Sequence, residues 1–310
     1  MANLARSVIP STVIGVRALM AAMKITDALA EFLLVLEGNG RSEHTRLQYK
    51  RHIGNLIAWL APEDDVAKLD STALARFLTS PAARETKKGR ERKPSSVNAV
   101  RGSLKGFGAF LHEAGHLASN PARMIRRARC GTMPPRCLSA EEQAHLLKVL
   151  RRVDGAMGRD YALIHTLLAT GLRIGSALGL RVEDVDCARG EAVVRTAKGD
   201  RPTVAVLSRE IAEHLGWYIG DRTRGPLFLG QDGNPITARH ARRRLRDWCE
   251  RAGIRTAASP HTLRHSFGMR VYRATGDLLV TQAALGHASI LSTAGYARAD
   301  REKLRTVLGA

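Results

Sequence analysis

A Pro- and Arg-rich break divides this chain of 310 residues into two unequal parts. Residues 119–136 (SNPARMIRRARCGTMPPR) contain three prolines, one glycine and five arginines, and they have no apolar periodicity. Such a composition interrupts regular structure and is typical of a linker. A chain of this length is also long for a single hydrophobic core, so about two domains are expected. We predict domains at residues 25–118 and 138–310, joined by a basic linker at 119–137.

Residues 1–24 form a separate leader in this scheme. They contain no acidic residue, they carry Arg6, Arg17 and Lys24, and they include an apolar stretch at 8–16. A signal or transit peptide fits this pattern. We favour a flexible leader or a start codon placed too early. No apolar run reaches the roughly 20 residues needed to span a bilayer, so we expect no membrane segment.

The smaller part is predicted to be all helical. Apolar residues recur at helical spacing, and Gly38-Asn39-Gly40 and Ser42 supply a stop signal and an N-cap. Residues 83–94 (ARETKKGRERKP) are predicted to form a charged loop. Four helices are predicted: Ile25–Leu36, Ser42 to about Leu60, about Ser71–Leu78 and about Ser95–Glu113.

The larger part is predicted to be mainly α with one small antiparallel β-sheet. Ser139 precedes Glu141 and Glu142, which suit the first turn of a helix because the helix dipole favours acids there. Two β-branched runs, Ala192–Thr196 and Thr203–Leu207, flank a turn and indicate a hairpin. Further helices are predicted at about Asp160–Thr170, Arg209–Tyr218, Thr237–Ala252 and His261–Ala274.

The charge of the chain indicates a polyanionic partner. There are 49 Lys and Arg against 29 Asp and Glu, which gives a net charge of +20 and a pI near 10.8. Basic side chains that neutralise phosphates release condensed counterions, so nucleic acid is the expected partner. The alternative is a generally basic surface with a solvated linker. The candidate phosphate contacts are Arg126, Arg127 and Arg129 in the linker, and Arg239, Arg242 and Arg243 in one predicted helix.

The cysteines give no metal motif. Cys130, Cys137, Cys187 and Cys249 are scattered and form no CxxC pair. A zinc site that combines the first two with upstream histidines is an alternative, but the spacing fits no standard finger. We therefore expect reduced thiols, no metal and no cofactor.

Six residues in the last 140 positions carry the candidate chemistry. Guanidinium groups can hold the non-bridging oxygens of a phosphodiester bidentately at any working pH. A tyrosine can attack the phosphorus, although a phenol with a pKa near 10 needs a base or a cationic pocket. A lysine at a hairpin turn can protonate the leaving oxygen. The residues are Arg173 (ATGLRIGSALGL), Lys198 (TAKGDR), His261 and Arg264 (PHTLRH), His287 (ALGHAS) and Tyr296 (STAGYAR).

In these strings and their order the chain resembles the tyrosine recombinase (phage integrase) family. The resemblance covers residues 139–300 by motif and residues 25–116 only by size and helical pattern. It implies a clamp of Arg173 and Arg264 around the phosphate and nucleophilic attack by Tyr296. It also implies a general acid at Lys198 and a base or hydrogen-bond partner for the tyrosine at His261. His287 would hydrogen-bond the phosphate or position the clamp. His265, next to the motif, is expected to be supporting structure.

The resemblance also implies a reaction and an assembly. The expected protein is a site-specific recombinase of the two-domain Xer-like or mobile-element type that needs neither ATP nor metal. It would pass through a 3′-phosphotyrosine and a Holliday junction, as a homotetramer on double-stranded DNA with inverted-repeat core sites. A partner recombinase or accessory protein and a cytoplasmic, nucleoid-associated location are further expectations. The tail Asp300–Ala310 would dock on a neighbouring protomer or on its own domain.

Two departures from the family pattern leave the catalytic groups in place. Ser176 stands where the family usually has an acid, and Gly295 precedes the tyrosine and frees the backbone there.

Two other functions remain open at this point. One is a catalytically idle DNA-binding accessory protein or repressor of the same fold; the other is a type IB-like topoisomerase or telomere resolvase.

Overall fold

The computed structural model falls into two compact units, residues up to Thr132 and residues from Met133. This division lies within the predicted linker. Of the predicted features, Lys198, His287, the tail from Asp300 and the leader before Met23 lie outside the described residues. The structure describes residues 23–61, 65–86, 88–131, 136–155, 157–195, 202–230, 232–286, 290 and 293–299.

The first unit consists of helices, as predicted. Ser42 caps the second helix by accepting a hydrogen bond from the Thr45 backbone N–H, so the predicted N-cap is confirmed. A short helix, α4, follows the predicted third helix and ends inside the region predicted as a loop, because Pro81 has the backbone angle of a first helical residue. The helices are α1 (Ile25–Gly38), α2 (Glu43–Leu60), α3 (Ser71–Thr79), α4 (Pro81–Arg84) and α5 (Pro94–Glu113).

Aromatic side chains form the centre of this unit. Phe32 of α1 packs edge-on against Tyr49 of α2, with ring centroids 5.1 Å apart, and it also contacts Phe107 and Phe110 of α5. Gly106 lets α5 approach α2 closely, since a Cβ there would lie 2.8 Å from the Tyr49 hydroxyl. Burial of these rings is the main stabilising term of the unit.

The second unit is mainly helical. Ser139 and Glu142 form a capping box at the start of α6, which confirms the helix start predicted there. Its helices are α6 (Ala140–Val153), α7 (Arg159–Thr170), α8 (Ile174–Leu178), α9 (Arg209–Ile219), α10 (Ala238–Arg251), α11 (Pro260–Thr275), α12 (Leu278–Leu285) and α13 (Ala294–Ala299).

A small antiparallel sheet follows α8. It contains β1 (Val185–Asp186), β2 (Glu191–Val194) and β3 (Thr203–Val206) in that order. Glu191 pairs with Val206 and Val194 pairs with Thr203, so β2 and β3 are the two arms of the predicted hairpin. The hairpin turn carries Lys198 in the sequence.

Helix α7 is the centre of the second unit. Almost all of its residues are buried, and α6, α9, α10 and α11 pack around it. Its one buried acid, Asp160, accepts hydrogen bonds from Arg159, Arg244 and the Trp248 indole. Within the described residues no helix is both long and apolar enough to cross a bilayer.

Candidate active site

Helix α11 presents the central residues of the site. Ser259 and Thr262 form a capping box at its start and Pro260 occupies its first turn, so the helix begins immediately before the HxxR motif. Helical spacing then places His261, Arg264 and His265 within the first two turns on neighbouring parts of the surface. The local sequence therefore fixes how these three side chains are arranged.

Arg264 is buried and holds the ends of two other helices. Its Nη1 donates to the Gly171 carbonyl oxygen at 2.7 Å, and its Nη2 donates to the Leu285 carbonyl oxygen at 2.5 Å. Gly171 ends α7 just before Arg173, and Leu285 ends α12 just before His287. The Arg264 guanidinium thus joins the two chain segments that carry the other predicted phosphate-binding residues.

Gly171 is required at this junction. It has a left-handed backbone with φ of 63°, and a Cβ there would clash with the Phe267 ring of α11.

Burial, and secondarily the nearby Arg173, lower the pKa of Arg264 to about 10, while Tyr296 acts in the opposite direction. Arg264 remains a cation at neutral pH.

Arg173 stands at the start of α8 and is half-buried. Its charge reaches both Arg264 and His261, because it lowers the pKa of each. The carboxylate of Glu183, ten residues further along the chain, binds Arg181 at 2.6 Å and the Gly225 backbone N–H at 2.9 Å. Among the described residues the Arg173 guanidinium has no hydrogen-bond or ion-pair partner.

Tyr296 lies on α13 with only 1% of its surface exposed. Its ring forms one buried hydrophobic cluster with Met269, Tyr272 and Leu285. Gly268 makes room for the ring tip, because a Cβ at that position would lie 2.6 Å from Cζ and 2.7 Å from the phenolic oxygen. Burial raises the pKa of Tyr296 to about 12, with Arg264 opposing the rise and Cys137 adding to it.

The hydrogen-bond partner of Tyr296 is His265, which corrects the expectation for His261. His265 Nδ1 lies 2.9 Å from the phenolic oxygen, and the two rings are edge-to-face. His261 is one turn earlier and exposed, with its ring centroid 5.5 Å from that of His265. The packing of α13 beside the second turn of α11 selects the later histidine. His261 and His265 are four residues apart and so lie on the same face of the helix. This spacing was the one sequence signal that made His265 a second candidate partner for Tyr296.

His261 lies among arginines instead. Partial burial and the charges of Arg264, Arg173 and Arg242 lower its pKa. Arg242 belongs to α10, so these interactions bring that helix and the Arg173–Arg264 pair to the same region of the unit.

The arginines of α10 divide into two groups. Arg239, Arg242 and Arg243 are exposed, as is Arg246, and their spacing places them on one face. Arg244 turns the other way: it binds Asp160 at 2.6 Å and lies over the Trp248 ring. The three candidates for phosphate contact are all on the exposed face.

The linker arginines Arg126, Arg127 and Arg129 are also exposed. The Asn98 side chain of α5 donates to the Ala128 carbonyl oxygen and accepts from its N–H, at 2.9 and 2.8 Å. These hydrogen bonds hold Ala128 against the first unit, and the three arginines lie immediately before and after Ala128 in the chain.

No candidate metal centre accompanies these residues. The described ranges contain no group of three or more His, Cys, Asp or Glu side chains that could hold an ion.

A helical unit followed by a mainly α unit, with Arg, His and Tyr side chains gathered around one helix, defines a class of DNA strand-transfer enzymes. The sequence profile of the phage integrase family matches residues 136–303. The chain is 34% identical over 293 residues to the tyrosine recombinase XerC of Xylella fastidiosa (strain 9a5c), covering 93% of this chain and 96% of that one. It is 32% identical to XerC of Serratia marcescens, covering 86% and 88%. The chain therefore belongs to the phage integrase family and is a tyrosine recombinase of the Xer type.

Solved structures have the same fold. The XerH site-specific recombinase bound to palindromic difH substrate, in a post-cleavage complex, superposes with a TM-score of 0.71 at 20% identity, covering 90% of this chain and 84% of that one. The Tn1549 transposon integrase in complex with transposon right-end DNA gives a TM-score of 0.69 at 18% identity, covering 91% and 99%.

Proposed function

We propose that this protein is a site-specific recombinase that cleaves and rejoins DNA through a 3′-phosphotyrosine at Tyr296. The observation that carries the proposal is the position of Arg264. One buried guanidinium fixes the segments that lead into Arg173 and His287, and its charge acts on the phenol of Tyr296. The family's cleavage chemistry needs these groups around one phosphate.

Charge stabilisation is the role of the arginines. A phosphodiester under attack gathers negative charge on its two non-bridging oxygens, and preorganised cations are most effective where that charge develops. Arg173, with no partner among the described residues, is available to bind one of these oxygens. Arg264 would hold the other, with His261 and His287 as further donors.

Proton transfer completes the reaction. Attack by the Tyr296 oxygen forms a bond to phosphorus and expels the 5′-oxygen, which takes a proton from Lys198 on the hairpin between β2 and β3. The phosphotyrosine preserves the bond energy, so a second 5′-hydroxyl can reverse the step without ATP or a metal.

Double-stranded DNA is the proposed substrate, held by the two sets of exposed arginines. Phosphate contacts from Arg239, Arg242 and Arg243 would place the backbone beside the Arg173–Arg264 pair, since Arg242 already acts on His261. Arg126, Arg127 and Arg129 would hold the backbone further along.

Assembly as a homotetramer on two inverted-repeat core sites belongs to the same proposal. A lambda integrase tetramer bound to a Holliday junction has the same fold, with a TM-score of 0.67 at 17% identity. Exchange of one strand pair at a time, with or without a partner recombinase or an accessory protein, would take place on DNA in the cytoplasm.

The retained reactive groups disfavour one of the two other functions, and an activity assay separates the second. A catalytically idle DNA-binding protein has no need of a tyrosine placed against an imidazole. A topoisomerase or telomere resolvase would use the same pocket, and relaxation of supercoiled DNA that lacks a target site would favour the topoisomerase.

The decisive test is a covalent protein–DNA adduct. DNA from the flanks of the chain's own gene, nicked near candidate inverted repeats, is incubated with wild-type protein and with Tyr296→Phe, which lacks only the attacking oxygen. We expect an adduct that survives denaturant with the wild type alone. Tight site-specific binding with no adduct from either protein would favour the idle DNA-binding protein.

A further inference from the structure

We propose that His265 is the general base that takes the phenolic proton of Tyr296 as its oxygen attacks the phosphodiester. The inference rests on the proposed function and adds to it a residue for which the sequence indicated only a supporting role. His265 touches the attacking atom itself, which is the requirement for a proton acceptor in this step.

The contact has the geometry of a proton transfer. The 2.9 Å separation between His265 Nδ1 and the Tyr296 oxygen lies within the range for a catalytic base and its substrate proton. Among the described residues no other side chain makes a hydrogen bond with this oxygen. With its proton on Nε2, the imidazole accepts the phenolic hydrogen at Nδ1.

The packing around this pair keeps the contact in place. Gly268, one turn after Arg264 on the same helix, leaves the space that the phenol ring occupies. Leu285 and Met269 belong to the same buried hydrophobic cluster as the ring. Since α11 carries His265, Gly268 and Met269 together, the base and the seat of the nucleophile belong to one rigid element.

The charged groups near His265 favour its neutral form. On its own helix these groups are His261 and Arg264, and from α13 it is faced by Tyr296. Helix α12, which also packs against α11, contains no ionisable side chain. Helix α7 contributes His165, which interacts with Arg270, and the segment before α6 contributes Cys137, which packs against the cluster around Tyr296. Burial, then His261 and Arg264, lower the pKa of His265, so the imidazole is uncharged at neutral pH.

His261 faces different groups. Its charged neighbours are Arg264, Arg173 and Arg242, and the described residues offer its ring no hydrogen-bond partner. That environment suits a donor to a phosphate oxygen. The two histidines of the PHTLRH string thus have different roles: His261 donates to the phosphate, and His265 accepts the proton of the nucleophile.

The proton balance is complete in both directions. In cleavage the Tyr296 oxygen bonds to phosphorus, its proton moves to His265 Nδ1, and the 5′-oxygen departs with a proton from Lys198. In rejoining, the incoming 5′-hydroxyl returns its proton to Lys198, and the departing Tyr296 oxygen regains a proton from His265.

The test measures single-turnover cleavage of the nicked site by excess protein between pH 5 and 8. His265→Asn, which retains a hydrogen-bonding amide but no base, is compared with wild type and with His261→Asn. His145→Asn on the exposed surface of α6 is the matched control. A His265→Gln variant, thermal unfolding and DNA affinity for each protein separate loss of folding from loss of chemistry.

We expect the wild-type rate to fall about tenfold per pH unit on the acid side of the His265 pKa, because protonation removes the base. Because the pKa of His265 is lowered from the ordinary histidine value, the cleavage rate should decline only below about pH 6.5. His265→Asn should cleave about 100- to 1,000-fold more slowly at neutral pH and should lose the acid-side decline. His145→Asn should match the wild type.

A substrate with sulfur in place of the 5′-bridging oxygen separates base from acid. Its leaving group needs no proton, so it should restore cleavage by Lys198→Ala and leave His265→Asn slow.

Several results would overturn the proposal: an unchanged acid-side decline in His265→Asn, its rescue by the sulfur substrate, or faster cleavage than wild type. The last would mean that His265 only holds the tyrosine in reserve. A wild-type protein that forms no adduct on DNA it binds site-specifically would instead refute the proposed function.

Discussion

Individual residues show how closely the site depends on packing. Tyr296 is almost fully buried, and the space for its ring exists only because residue 268 has no side chain. Overpacking a filled site displaces neighbouring atoms and typically costs about 1–3 kcal/mol. The proposed catalytic geometry therefore depends on a glycine that takes no part in the chemistry.

Gly268→Ala should displace Tyr296 from His265. We expect the free energy of unfolding to fall by about 1–3 kcal/mol and cleavage of the nicked site to slow more than DNA binding weakens. The control is Gly216→Ala in α9, where a Cβ meets only Cys187 Sγ at 3.9 Å, so the change should be neutral or slightly stabilising. Denaturant unfolding and adduct yield report the two effects. Equal behaviour of the two variants would show that the phenol does not occupy this space.

At the level of helices, the two faces of α10 lie in different environments. Its exposed face carries arginines with no structural partner among the described residues, such as Arg243. Its inner face carries Arg244, which holds the buried Asp160 together with Arg159 and Trp248. Burial opposes ionisation of Asp160, but the hydrogen bonds from Trp248, Arg244 and Arg159 outweigh it and lower its pKa.

The two arginines should give opposite phenotypes. Arg244→Ala leaves a buried carboxylate with one donor fewer, and we expect a loss of about 1–3 kcal/mol in the free energy of unfolding. Arg243→Ala should leave stability unchanged, weaken DNA binding and reduce the salt dependence of log K by about 0.9. Denaturant unfolding and binding at several salt concentrations measure both. A stable Arg244→Ala protein with weakened DNA binding would contradict the assignment.

Acid should remove the contribution of Asp160. Its folded-state pKa is lowered, so its stabilisation is present above the unfolded-state value near 3.9 and is lost as pH falls through the folded value. The stability difference between wild type and Asp160→Asn should therefore be largest at neutral pH and shrink below about pH 4. Urea unfolding from pH 3 to 7 tests this. A difference that grows with acidity would mean that the carboxylate is not held ionised.

In the whole molecule, each of the two units has its own hydrophobic core. The aromatic cluster around Phe32 belongs to the first unit, and the core around α7 belongs to the second. A protein built in this way is cut first in the segment between its cores. The linker arginines are exposed, and we propose that they contact DNA. Cleavage by a protease in this segment therefore tests both their exposure and the DNA contact.

Limited trypsin digestion should first cut after Arg126, Arg127 or Arg129. Mass spectrometry should then find two fragments that persist, one from each unit. Site DNA should slow this cleavage at low salt, because the arginines would be covered by phosphates, and protection should decline at high salt. First cuts inside α5 or α7 would contradict the domain boundaries, and cleavage unaffected by DNA would contradict the linker contact.

The class of protein was readable in the sequence, which also supplied the candidate reactive residues. Short strings such as PHTLRH and STAGYAR can be interpreted without the rest of the fold, because a helix start or a turn fixes the relative positions of neighbouring side chains. The capping box at Ser139, the hairpin around Lys198 and the all-helical first unit follow from the same short-range rules. These rules also indicated the linker, whose composition prevents regular structure.

Relations between distant segments came only from the folded molecule. The sequence favoured His261 as the partner of Tyr296, but the packing of α13 beside the second turn of α11 selects His265. The hydrogen bonds of Arg264 to Gly171 and Leu285 end on backbone carbonyl groups, which have no signature in a sequence. The outward direction of Arg243 and the inward direction of Arg244 depend on where Asp160 lies in α7. Each of these contacts joins residues far apart in the chain, and their positions are fixed by how whole helices fill a common core.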